Sequence, residues 1–101
     1  MKDESMNRSE IINKLRGFKA DYKERYGFKR IGIFGSVARD MAKKNSDIDI
    51  IVEQNKPDLF ILGCIKTDLE EKFGRKVDIV RLRENMNLYL KKRIDKEALY
   101  V

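Results

Sequence analysis

The sequence predicts an α+β domain: about four helices packed in two layers with a three-stranded mixed sheet. Three observations predict it. Apolar residues recur at helical spacing in three stretches, and two of these end at a glycine. Three short apolar runs have the length and β-branched content of strands. The elements come in the order helix, strand, short helix, strand, helix, strand, helix.

Residues 1–6 are polar and are expected to fray. A helix is expected from near Asn7, whose side chain can form a capping box with Glu10. Ile11, Leu15, Phe18, Tyr22 and Tyr26 then make one apolar stripe, and Gly27 stops the helix. Core packing explains such a stripe better than a partner surface does. The first strand covers Phe28 to Phe34, and Gly32 inside it marks a bulge or a close backbone approach. A short helix from Val37 to about Lys43 leads into a turn at Asn45-Ser46. The second strand carries Asp47 and Asp49.

Pro57 ends a loop and Asp58 can cap the next helix, whose apolar face is Leu59, Leu62, Ile65, Leu69 and Phe73. Gly63 inside that helix costs about 1 kcal/mol against Ala, so close packing is expected there. Gly74 stops it. The third strand spans residues 76–81 and carries Asp78. A last helix from about Asn87 sets Leu90, Ile94, Ala98 and Val101 on one face.

Composition narrows the function classes. A chain of 101 residues holds one domain, residues 1–101, with one modest core. With no histidine, imidazole bases and imidazole metal ligands are excluded, and chemistry must rest on carboxylates, hydroxyls, lysines or metal. Cys64 cannot form an internal disulfide and reads as a small hydrophobe with no base beside it. No apolar run approaches membrane-spanning length and no signal peptide is visible, so a cytoplasmic location is expected. The net charge of +6 comes from 23 Lys plus Arg against 17 Asp plus Glu. It fits a well-solvated surface or attraction to anions. The basic residues form no stripe and have no stacking-aromatic motif beside them, which counts against direct nucleic-acid binding.

The stretch from residue 31 to residue 52 concentrates the chemistry. Strand side chains alternate, so Asp47, Asp49 and Ile51 share one face while Ile48, Ile50 and Val52 share the other. Two carboxylates so placed lie roughly 6.5 to 7 Å apart at their Cβ atoms and repel. A divalent cation between them removes the conflict, and hard oxygen ligands suit Mg²⁺. The alternative is that these aspartates decorate the wet face of a half-exposed sheet. Gly35 lets the backbone approach a ligand closely, and Ser36 stands where a helix N-cap would, a place that favours an anion. Arg39 either reaches a phosphate or holds a local ion pair. Lys43 and Lys44 read as solvated.

Gly35-Ser36 followed after ten residues by Asp47-x-Asp49 resembles the signature of the DNA-polymerase-beta-like nucleotidyltransferases. The fuller string, Gly35-Ser36-Val37-Ala38-Arg39 and then Ser46-Asp47-Ile48-Asp49, is similar to the minimal nucleotidyltransferase (MNT) branch, with Val77-Asp78-Ile79-Val80 as the third-carboxylate strand. Asp40 departs from the glycine common after Ala-Arg in that family. The resemblance implies the same α+β fold and a transfer of AMP from ATP. Asp47, Asp49 and Asp78 would hold two Mg²⁺ ions and act as the catalytic carboxylates. Gly35, Ser36 and Arg39 would bind the phosphates. It also implies a partner, since MNT proteins pair as antitoxins with HEPN-domain toxins and transfer AMP to a toxin tyrosine. Two other readings stand beside it: neutralisation of a partner by docking alone, and a small-molecule acceptor. Relatives with small-molecule acceptors carry a second domain to hold them, and with the chain ending soon after its fourth helix little surface is expected for one.

Overall fold

Helix α1 (Arg8–Tyr26) starts on the capping box read from the sequence. The Glu10 amide donates to Asn7 Oδ1 at 2.8 Å, and the Asn7 amide donates to Glu10 Oε1 at 3.2 Å. The computed structural model describes residues 7–39 and 46–101. The sequence readings for residues 1–6, Asp40, Lys43, Lys44, Asn45 and the end of the short helix lie outside the described residues.

After α1, a left-handed Gly27 leads into β1 (Phe28–Phe34). Then come α2 (Gly35–Ala38), β2 (Ile48–Gln54), α3 (Leu59–Phe73), β3 (Val77–Arg81), α4 (Leu88–Glu97) and β4 (Leu99–Tyr100). Among the described residues the sheet therefore has four strands rather than three, in the order β3-β2-β1-β4. β1 pairs antiparallel with both β2 and β4, and β2 pairs parallel with β3. The extra strand has two residues, too few to show any periodicity. It also shortens the last helix: Ala98 caps α4, and Val101 lies beyond β4 instead of on a helix face.

The core forms by strand alternation. Ile48, Ile50 and Val52 of β2 turn toward α1 and α3, where they meet Leu15, Phe18, Ile65 and Leu69. Ile51 turns the other way and packs with Phe34 of β1 and Ile94 of α4. The face that carries Asp49 is thus partly covered by α4, which packs over Ile51 and Phe34. Leu59, assigned to the apolar face of α3, is 83% exposed at the first turn, before the helix reaches the sheet. Gly63 is also corrected: a Cβ there would meet nothing within 4 Å, so no close packing explains it.

Gly32 confirms the expectation of a close approach. A Cβ at this position would lie 2.5 Å from the Leu99 carbonyl oxygen and 2.9 Å from Tyr100 Cα. Only a residue without a side chain lets β4 lie against β1 here. Two further bonds fasten the same segment: the Val101 amide donates to the Ile31 carbonyl at 3.0 Å, and Lys19 Nζ donates to the Val101 carbonyl at 2.8 Å. At the other edge the Val77 amide donates to Glu70 Oε2 at 3.0 Å, tying β3 to the end of α3 and holding the Glu70 carboxyl below its ordinary range. No helix among the described residues is long and apolar enough to cross a membrane.

Candidate active site

The site begins where β1 stops. Phe34 is extended, and Gly35 then turns with φ 74°, a left-handed value that favours glycine. The antiparallel register sets Phe34 opposite Asp49, so the turn comes down directly on that aspartate. A Cβ at Gly35 would run into the Asp49 carboxylate, with Asp49 Cγ 3.2 Å away. Glycine is required twice here, by backbone angle and by the carboxylate beside it. Ser36 follows, partly exposed and inside α2 rather than at its N-cap as read from the sequence, since the turn starts the helix at Gly35, while Val37 and Ala38 anchor α2 in the core. Arg8 of α1 donates to the Ala38 carbonyl at 2.9 Å and pins the end of this turn.

The parallel register supplies the third carboxylate. Asp49 stands opposite Asp78, and Ile48 opposite Val77. Asp47 immediately precedes β2 rather than lying within it, and is exposed, as is Asp78. Arg75 donates to the Ser46 carbonyl and so fixes the approach to Asp47. Burial pushes the Asp49 carboxyl above its ordinary range, and the Asp78 charge pushes it further. Asp47 and Glu97 add to the effect, and Arg93 opposes it.

Arg93 and Glu97 belong to α4 and were not singled out in the sequence. The Gly35 amide donates to Glu97 Oε1 at 3.2 Å. Arg93 lies 3.7 Å from the same carboxylate and Arg39 lies 4.0 Å from it. Arg39 thus has the local ion pair that was one of its two readings. The i,i+4 spacing of Arg93 and Glu97 is visible in the sequence, but nothing local shows that this end of α4 reaches the Gly35 turn.

Among the described residues, no three acidic or thiol side chains stand together as a ready-made metal cage. The donor chemistry nonetheless fits a hard divalent cation. Asp49 and Asp78 face each other across a register pair, and their mutual repulsion is the conflict a cation relieves. Beside them a backbone amide and two guanidinium groups converge on one carboxylate, a donor set that suits an anion. The arrangement therefore offers a cation end and an anion end side by side.

Residues 15–101 match the nucleotidyltransferase domain family. The chain is 34% identical to the protein adenylyltransferase MntA of Thermococcus cleftensis, over 91% of this chain and 93% of that protein. In three dimensions it is similar to a solved structure described as a minimal nucleotidyltransferase, with TM-score 0.75, 30% identity, and coverage of 93% of this chain and 95% of that one. It is also similar to a chain of a toxin–antitoxin structure determined with AMP-PNP, with TM-score 0.67, 25% identity, and coverage of 94% and 72%.

Proposed function

The chain belongs to the nucleotidyltransferase domain family, and from that premise we propose that it transfers AMP from ATP to a tyrosine hydroxyl of a HEPN-type toxin, acting as that toxin's antitoxin. One observation carries the catalytic part: the sheet register brings Asp78 beside Asp49, and Asp49 beside the Gly35 turn. The name of the Thermococcus relative and the AMP-PNP in the toxin–antitoxin structure support the choice of ATP and of a protein acceptor. The HEPN partner and the tyrosine rest on the likeness to the MNT branch. The cytoplasm, where ATP is supplied, is the compartment this reaction needs.

In this reading Gly35 and Ser36 hold the outer phosphates, with Arg39 neutralising them. Asp47, Asp49 and Asp78 would hold two magnesium ions. Bound magnesium would neutralise charge on the phosphates and favour ionisation of the acceptor hydroxyl. Asp78, exposed on the edge strand β3, would take the hydroxyl proton. The acceptor oxygen attacks the α-phosphorus in line, the bond to the bridging oxygen breaks, and pyrophosphate leaves. Positioning and charge complementarity supply most of the rate.

The test is intact-mass analysis of a co-expressed or added HEPN protein after incubation with ATP and magnesium. The native chain is expected to add one or more AMP units to the partner, and Asp47→Ala none. A partner silenced equally well by Asp47→Ala, with no gain in mass, would establish neutralisation by docking instead.

A further inference from the structure

We propose that Glu97 is a placeholder for substrate phosphate, occupying the Gly35 amide and the Arg39 and Arg93 side chains until a nucleotide displaces it. The inference rests on the adenylyl-transfer reading of this site and adds Arg93 to its phosphate-binding groups. The contacts carry it. A single carboxylate takes the Gly35 N–H at 3.2 Å and has a guanidinium on either side, at 3.7 and 4.0 Å. These three donors are what an incoming polyphosphate needs beside Asp49, and a carboxylate presents the same pair of charged oxygens.

The i,i+4 pair with Arg93 gives Glu97 one local partner, but that pair alone does not call for a carboxylate against the Gly35 turn. Glu97 is the last residue of α4, where the helix dipole disfavours a negative charge. Its side chain is only 13% exposed. A carboxylate that is unfavourable at its helix end, yet accepts the Gly35 N–H and pairs with two arginines, points to a role in the site. With Glu97 in place the Gly35 N–H has its acceptor, the two arginines are charge-paired, and the Gly35 turn is kept in shape. With Glu97 swung into solvent, the same donors face the triphosphate. Nucleotide affinity is then lowered by the fraction of molecules in which Glu97 is bound.

The experiment measures ATP binding by calorimetry, with magnesium and without acceptor, for the native chain, Glu97→Gln, Arg93→Gln and the double variant. Glu97→Gln is expected to bind roughly tenfold more tightly than the native chain, because a neutral amide competes poorly for the arginines. Arg93→Gln should bind several-fold more weakly, and in that background the gain from Glu97→Gln should shrink to about threefold or less. Unchanged or weaker binding by a Glu97→Gln protein that melts like the native one overturns the proposal. If Glu97→Gln melts lower, Glu97→Asp decides. Its charge is kept but drawn back from Gly35, so tighter binding supports a placeholder and weaker binding shows a strut. A native chain that transfers AMP but whose Glu97 variants gain no affinity defeats this inference alone. A native chain that binds no ATP defeats the transfer reading as well.

Discussion

Asp49 remains protonated to higher pH than an ordinary aspartate, because burial and the Asp78 charge both disfavour its carboxylate. A raised value in the fold means that its favourable contribution is present below the ordinary aspartate range and is lost as pH rises through the raised value. At neutral pH the ionised group is therefore a local cost to the fold, borne for the site. Asp49→Asn is expected to raise the melting temperature at pH 7 by roughly 2–5 °C and to abolish AMP transfer. The difference in melting temperature should narrow as pH falls, since the native side chain then becomes neutral too. Magnesium should raise the melting temperature of the native chain by mass action and leave the asparagine variant unmoved. Thermal melts across pH, with and without the ion, check all three. A variant that melts lower than the native chain at pH 7 would show that the carboxylate stabilises the fold.

At the scale of elements, β4 shows how far the sequence can be read. α1 and α3 were legible because caps, glycine stops and a helical stripe all agree, as Asn7 with Glu10 and Asp58 with Ile61 confirm. The three longer strands were legible from their apolar runs, and the alternation in β2 separated Asp49 and Ile51 from Ile48 and Ile50 correctly. β4 was not, since Leu99 and Tyr100 have no local pattern and their pairing is set by a distant Gly32. Gly32 itself carried the signal, but a glycine in a strand cannot say which backbone approaches it. The meeting of the Gly35 turn with Asp49 was legible because the two are close in sequence. Arg93 and Glu97 were not, because only tertiary packing brings α4 over the Gly35 turn. Gly32→Val tests the β4 contact. The added side chain must displace Leu99, with an expected loss of roughly 1–3 kcal/mol in urea unfolding. Hydrogen exchange should show the Val101 amide losing protection while α1 keeps its own. Native stability in this variant would mean that β4 contributes nothing to the fold.

Across the whole molecule, the parts of the site differ in how they are secured. Gly35 directly follows β1 and Asp49 lies in β2, and these two central strands each have a neighbour on either side. Asp78 comes from β3, an edge strand reached only after the chain has passed through α3. An edge strand opens at lower free energy than the centre of its sheet. On warming, amides of β3 are expected to exchange before those of β1 and β2, and AMP transfer should fail at a lower temperature than ATP binding. Paired measurements of transfer rate and nucleotide affinity along a temperature ramp check this, and a common midpoint for both would contradict it. On the proposed role of Asp78, its parallel pairing with Asp49 would make the edge strand a thermal cutoff: a molecule loosened at β3 is expected to capture its nucleotide and release it unreacted.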